Sequence, residues 1–321
     1  LNGYTYKDAG VDLSKVLDLH DKLREILSPS SEKTVLGPGH YSGVVKVGDL
    51  YLGLHTDGVG TKVQLALQYQ NFEPVGVDCV AMNVNDLVSL GLTPVAIVDY
   101  IAMESPSDTL IEGIARGLRM AAKEADVDVV GGETAIMPGV IKGFDLSCSA
   151  LGVSTSLKSG SEVAPGDLII AMESNGLHSN GFTLVRSLLE KGTLKVDPVE
   201  LLKPTFIYVK PVLESLPYIK GVAHVTGGSF SKLRRITRHR LNLSIEQTQD
   251  IFIKIEKAGV PHEEMYRVFN MGVGMVLFVA REEAEEVMKI TSRYYRSKVI
   301  GEVSVGEGIV LRTHRGKVLH L

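Results

Sequence analysis

Three acidic residues in glycine-rich or amide-rich surroundings are the groups best placed by type and spacing to do chemistry. They are Asp57 in Thr56-Asp57-Gly58-Val59-Gly60-Thr61-Lys62, Asp86 in Asn83-Val84-Asn85-Asp86-Leu87, and Glu133 in Gly131-Gly132-Glu133-Thr134. In the first segment two glycines let backbone N–H groups approach a ligand while an aspartate and a lysine flank them, which suits metal-bridged phosphate. The spacing Gly-x4-Gly-Lys-Ser/Thr is absent, so this is not a Walker A loop, and a plain turn is the competing explanation. In the second, Asn and Asp are poor helix-interior residues unless they cap locally or perform some task. The third follows the apolar run Val127 to Val130, which reads as a strand, and ligands of α/β sheets gather beyond the carboxyl ends of strands. If the three acids converge, each pair repels by roughly 4 kcal/mol at 4 Å and a surface-like dielectric. A divalent cation removes that conflict, and all-oxygen ligands favour magnesium over zinc.

The second half of the chain offers two histidines. His178-Ser179-Asn180-Gly181 precedes an apolar helix starting at Phe182, where Ser179 or Asn180 can cap and the helix N-terminus can face an anion. His224-Val225-Thr226-Gly227-Gly228-Ser229 combines a titratable ring, a hydroxyl and two glycines able to wrap a phosphate in N–H groups, although a lone histidine is more often structural. Asn270, Gly272 and Gly274 open an apolar strand, where a strand-entry bulge competes with a binding role.

Elements that would position these groups follow from periodicity. Leu13 to Leu27 carries a helical apolar face ended at Pro29, and Val44 to His55 reads as a hairpin turning at Gly48-Asp49. Pro74 to Leu90 reads as a helix stopped by Gly91, Val95 to Ala102 as a buried strand, and Ser107 as the cap of a helix reaching Ala125. Phe144 to Val153 is a further strand, and the Ser, Gly and Pro of residues 154–166 mark a boundary. We therefore expect two domains, 1–160 and 161–321. In the second, strands Leu168 to Met172 and Met275 to Val279 alternate with helices Gly181 to Glu190 and Glu282 to Tyr294. The class is α/β in the broad sense, α+β in detail.

The 321 residues suit two ordinary cores, with 44% hydrophobic and 22% charged residues. A net charge of −4 argues against a nucleic-acid partner, and Lys232 to Arg240 reads as a solvated basic helix face. Apolar stretches are strand-sized, which argues against a membrane, and residues 1–12 lack the features of a secretory signal, so the expected location is cytoplasmic. Cys79 and Cys148, far apart and without a CxxC neighbour, read as two buried thiols.

Together, Tyr6 to Asp12, the Asp57 loop, Asn83 to Leu87, Gly131 to Glu133 with Met137-Pro138-Gly139, His178 to Gly181, His224 to Gly228 and Glu264 to Met275 resemble one family over nearly the whole chain. That family is aminoimidazole ribonucleotide synthetase, or phosphoribosylformylglycinamidine cyclo-ligase, of the PurM-like superfamily. The resemblance implies ATP- and magnesium-dependent closure of formylglycinamidine ribonucleotide to aminoimidazole ribonucleotide. It also implies a homodimer joined through strand-rich N-terminal domains that bind ATP, with substrate on the C-terminal side. Carried over, it assigns metal to Asp57, Asp86 and Glu133, and nucleotide phosphates to these and Gly58, Gly60, Gly131 and Gly132. Glu133 would reach the partner subunit's site. Lys62 would neutralise developing charge, and His178 or His224 would move the proton, with no choice between them. Asn180, Gly181, Thr226, Gly227, Gly228 and Asn270 would hold substrate. Two departures stand out: Ser229 replaces a third glycine, and Gly37-Pro38-Gly39-His40 replaces a loop usually richer in glycine. Selenophosphate synthetase and thiamine phosphate kinase share parts of these motifs, but the Tyr6 to Asp12 start argues against both. The former also lacks its reactive cysteine here, since none precedes Cys79. A nucleotide-binding paralogue without activity is the remaining alternative, opposed by the presence of both histidines.

Overall fold

The computed structural model describes residues 3–28 and 31–321, so Pro29, the expected stop of the first helix, lies outside the described residues. The first sheet and its helices run α1 (Leu13–Ile26), β1 (Thr34–Leu36), β2 (Gly43–Val47), β3 (Leu50–Gly58), α2 (Lys62–Tyr69), α3 (Glu73–Val88), β4 (Thr93–Met103), α4 (Asp108–Ala125), β5 (Asp128–Ile136) and β6 (Phe144–Ser154). The second set runs β7 (Leu168–Glu173), α5 (Phe182–Glu190), α6 (Pro198–Leu201), α7 (Val209–Ser215), β8 (Ile219–His224), β9 (His239–Ser244), α8 (Asp250–Lys257), α9 (His262–Val268), β10 (Val273–Val279), α10 (Ala284–Thr291), β11 (Ser297–Glu307), β12 (Ile309–Arg312) and β13 (Val318–His320). Two mostly antiparallel sheets result, ordered β1-β2-β3-β6-β4-β5 and β13-β12-β9-β11-β7-β10-β8.

Local chemistry accounts for the elements that place the site. Gly48, at φ +59°, makes the two-residue turn between β2 and β3. Ser107 accepts the Leu110 N–H at the start of α4, and the amphipathic period of that helix buries Leu110, Ile114, Leu118 and Ala121. α3 and α4 cross closely because Gly76 and Gly117 carry no side chain: a Cβ on Gly117 would stand 2.0 Å from the Glu73 carbonyl oxygen. That approach drives α3 deep between the two sheets, and every one of its residues from Val75 to Val88 is buried. β10 lies between β7 and β8 and is buried along its whole length, as a strand covered on both faces must be.

Four expectations change. Cys79 of α3 and Cys148 of β6 are joined as a disulfide with Cα atoms 5.7 Å apart, so they are not two free thiols. Helix-on-sheet packing brings them within bridging distance despite 69 residues of separation, which no sequence spacing announces. Gly131, Gly132 and Glu133 do not sit in a loop past a strand end but inside β5, which continues pairing with β4 as far as Ile136. The apolar stripe of α1 buries nothing, leaving Leu17, Leu19, Leu23 and Ile26 exposed. Finally, Lys232 to Arg235 belongs to a short 3-10 helix, Ser229–Arg235, packed against the site.

Candidate active site

The buried helix α3 carries the polar residues that join the two sheets. Asp86, 3% exposed, receives His224 Nδ1 from the end of β8 at 2.7 Å on one oxygen and faces His55 Nε2 of β3 at 3.4 Å on the other. Burial works against its charge, but the hydrogen bond from His224 and the neighbouring His55 and Lys232 outweigh it, so Asp86 is held below the usual carboxylate range. Asp57, at the end of β3, accepts the Gly58 N–H at 2.8 Å, and Asn83 donates to its backbone oxygen. Burial first, and the Asp86 charge second, push the Asp57 carboxyl upward. Two acids thus meet at one place, and the second is destabilised by the first.

Cations approach from the second domain. Lys232 donates to Thr226 Oγ1, and its charge is felt by both Asp57 and Asp86. Burial pulls its ammonium downward while the Asp86 carboxylate pulls the other way. Arg235 lies over the Tyr41 ring at 5.2 Å and donates to the His40 carbonyl at 3.4 Å, which places the Gly37–His40 turn beside the same cluster. Between β8 and this helix, Gly227 is exposed and Gly228 has φ +85°. Gly227 and Gly228, next to the buried Thr226, therefore present open backbone beside a partly buried lysine, an arrangement able to take a phosphate. Ser229 follows at φ +49°, which explains why glycine suits that position, and its hydroxyl is tied to the Phe269 carbonyl at 2.6 Å.

The two histidines separate clearly. His224 is fully buried: its Nδ1 faces the Asp86 carboxylate at 2.7 Å, and its Nε2 has no hydrogen-bond partner among the described residues. His178 instead accepts the Asn175 N–H on Nε2 at 2.9 Å, and its ring packs near Phe206 and Tyr208. Burial, with help from nearby His224 and Lys62, holds His178 far below the usual imidazole range. At φ +58° it shapes its loop.

Several expected residues stand elsewhere. Lys62 is wholly buried: its Nζ lies 2.7 Å from Asp78 Oδ2 and donates to the carbonyls of Lys203 at 2.7 Å and His178 at 3.1 Å. All three ammonium protons are used, so Lys62 ties the domains together and has none left for a phosphate. Asp78 in turn accepts both the N–H and the hydroxyl of Thr205, while Asn85 bonds the backbone of Phe206 and Tyr208. Asn270 accepts from Ser174 and the Gly272 N–H and donates to the Gly176 carbonyl, so its amide supports a loop and offers nothing to substrate. Gly181 is required by packing, since a Cβ there would meet Phe269 at 2.2 Å. Asn180 does border the cleft: a Cβ on Gly227 would be 3.0 Å from its Oδ1, and its Nδ2 is buried without a partner.

Glu133 does not join Asp57 and Asp86 within one chain. Strand register aligns Gly58, Ser147, Tyr100 and Glu133 in one row, three strand spacings or about 14 Å across. Glu133 shares the outer sheet face with Tyr100, whereas Cys148, beside Asp57, faces α3. Gly132 fits there because Asp99 would touch any Cβ at 2.6 Å.

Residues 39–154 match the AIR synthase related protein, N-terminal domain, family, and residues 164–314 match its C-terminal domain counterpart. The phosphoribosylformylglycinamidine cyclo-ligase of Saccharolobus solfataricus is 54% identical, with 98% of each chain covered. The chain belongs to the phosphoribosylformylglycinamidine cyclo-ligase family. Cyclo-ligases of Sulfurisphaera tokodaii, at 47% identity over 98% of this chain and 99% of that one, and of Pyrococcus furiosus, at 42% over the same shares, agree. Among solved structures, a HypE–HypF complex superposes with TM-score 0.71 at 18% identity, covering 94% of this chain and 98% of that one. AaThiL complexed with AMPPCP and TMP superposes with TM-score 0.69 at 19% identity, covering 96% of each chain. At such identities these two speak for the fold alone. Membership of the cyclo-ligase family bears out the resemblance read from the motifs.

Proposed function

We propose that the Asp57, Asp86 and His224 cleft performs the family's reaction, the ATP-dependent closure of formylglycinamidine ribonucleotide to aminoimidazole ribonucleotide with release of ADP and phosphate. The formyl oxygen is a poor leaving group. Transfer of the γ-phosphoryl group to it creates an activated imidate, the neighbouring amidine nitrogen attacks that carbon, the C–O bond breaks with phosphate as leaving group, and the nitrogen loses a proton. Little covalent work falls to the protein, whose part is geometry and charge. The observation that carries this reading is the meeting of Asp86 on α3 with His224 of the other sheet at 2.7 Å, beside Asp57 and Lys232.

The chain's own groups divide as follows. His224, oriented by Asp86, is the proton acceptor favoured over His178, whose accepting nitrogen is already occupied. Lys232, Thr226 and the backbone of Gly227 and Gly228 receive phosphate oxygens, with Asn180 alongside. Gly60 offers its backbone to the nucleotide, while the Gly58 N–H holds the Asp57 carboxylate in place. Magnesium fits Asp57 and Asp86 as a pair, because Asp57 is raised by burial and then by the Asp86 charge, both of which a divalent cation would relieve. When bound it would supply charge for the triphosphate. Glu133 fits only as a group lent to the partner's site.

A homodimer supports that loan. The outer face of the first sheet exposes Leu54 at 62%, Val98 at 41% and Tyr100 at 40%, and the edge strand β5, with Val130 at 64%, is left open. A second copy covering this face would bury the apolar patch and the free edge. Among the described residues no helix is long and apolar enough to cross a membrane, and we place the enzyme in the cytoplasm with its small-molecule substrates.

The test is ADP release with and without formylglycinamidine ribonucleotide, with detection of the aminoimidazole product. Substrate-dependent release with product supports the reading; nucleotide binding without turnover supports an inactive paralogue.

A further inference from the structure

Outside the cleft, in the second domain, three potential metal ligands face one another. Glu256 sits in the last turn of α8, His262 opens α9, and His314 lies in the turn between β12 and β13. Ligand atoms of all three lie within 4.8 Å of one another. We propose that Glu256, His262 and His314 bind one divalent transition-metal ion of the zinc class that ties the C-terminal hairpin to α8 and α9.

The geometry suits such an ion. Glu256 is 8% exposed, and a buried carboxylate needs strong partners. Its Oε1 lies 2.8 Å from His262 Nδ1 and its Oε2 3.6 Å from His314 Nε2. With one atom taken from each residue, the three lie within 4.8 Å of one another, a spread that small side-chain shifts close to the roughly 3.3 Å between tetrahedral zinc ligands. Oε2 is buried yet makes no hydrogen bond, which leaves it acceptor capacity for an ion. His314 is already oriented as a ligand: its Nδ1 pairs with Tyr266 Oη at 2.7 Å, and the same phenol oxygen accepts the His314 backbone N–H at 3.0 Å. A ring nitrogen held by an outer partner is the usual support for metal on the other nitrogen. Two imidazoles and one carboxylate select a zinc-like ion over magnesium, and three protein ligands leave a fourth position for water.

Arg315 is the competitor. Its Nη2 lies 3.2 Å from Glu256 Oε2, where it neutralises the carboxylate, but its side chain is 52% exposed and free to withdraw. The consequence of occupancy is structural. The segment 257–264 between and within these helices also anchors the start of the chain, through Tyr4 N–H to the Gly259 carbonyl and Tyr6 N–H to Glu264. One ion would therefore stiffen both chain ends, independently of the catalytic reading.

The experiment uses the full chain stripped with chelator and titrated with Co2+ as a visible-absorbing stand-in for zinc, with thermal melts in Zn2+ and in Mg2+. One equivalent of Co2+ with tetrahedral absorption is expected, and a melting temperature raised by Zn2+ but not by Mg2+. The double variant His262→Ala/His314→Ala loses the absorption, Tyr266→Phe weakens binding about tenfold, and Arg315→Ala tightens it. The last variant changes only an exposed side chain, so its effect does not depend on a disturbed fold. No tetrahedral Co2+ signal in the wild type, or a signal that survives in the double variant, would overturn the proposal.

Discussion

Replacing Lys62 by Met distinguishes a structural tie from a catalytic cation. Methionine keeps the unbranched stem but removes the charge, leaving Asp78 with only the two Thr205 donors and the carbonyls of Lys203 and His178 unpaired. Because Lys62 and Asp78 are both fully buried, removing one partner leaves an uncompensated charge at a cost of about 3–5 kcal/mol. For cores of this size that lowers the thermal midpoint by about 10 °C. Adding Asp78→Asn removes the orphan charge while its amide oxygen still accepts from Thr205, so the double variant should regain about half of the loss. Thermal melts of both variants and of Asp78→Asn alone give the coupling, and ADP release at 20 °C below each midpoint gives kcat. The folded single variant should keep kcat within about tenfold of the parent. A hundredfold loss of kcat with an unmoved melting temperature would refute the assignment and return Lys62 to the chemistry.

Three further outcomes are expected. Asp57 is raised in the folded protein, so its ionised form opposes folding: that penalty is absent below the unfolded carboxyl value of about 3.9 and grows as pH rises through the folded one. Asp57→Asn should accordingly raise the melting temperature of ligand-free protein at pH 7, with the gain vanishing near pH 3.5, while turnover collapses; an unchanged midpoint at pH 7 would contradict the shift. Asp86→Asn keeps an acceptor for His224 but loses the charge, so kcat should fall roughly a hundredfold with a much smaller effect on melting, and parallel losses would mark a structural carboxylate. Mixing Glu133→Ala protomers with Asp57→Ala protomers should restore activity above that of either alone, since one site per mixed dimer then has both acids, and no recovery would show that Glu133 serves no partner.

Local signals were readable wherever local physics decides. The Ser107 cap with its three-to-four residue repeat and the Gly48-Asp49 turn predict α4 and the β2–β3 hairpin, and both form. Asp86 carries its own mark, a polar group in a helix otherwise suited to burial, and Asp57 carries another, its place beside the glycines of a strand-end loop. What stayed hidden depends on partners far along the chain. Asp78 was one polar residue among several on α3, and nothing near Lys62 revealed that the two would pair. Lys232 looked like part of a solvated basic run, because its proximity to Asp86 is created by the return from β8 into a 3-10 helix. His55 looked like an ordinary strand residue, yet its ring faces Asp86. The exposed stripe of α1 shows the same limit from the other side: its period specifies a helix, while the surface that would cover it is not specified by period at all.

In the proposed site, Asp57 and Asp86 meet a metal-bound triphosphate within the cleft bordered by His224 and Lys232. A crystal of the enzyme with a nonhydrolysable ATP analogue and magnesium measures this directly. A metal is expected at about 2.0–2.1 Å from a carboxylate oxygen of Asp57 or Asp86, with the terminal phosphate toward Lys232 and Gly227. Phosphates seated elsewhere, with both carboxylates turned to their own neighbours, would contradict it.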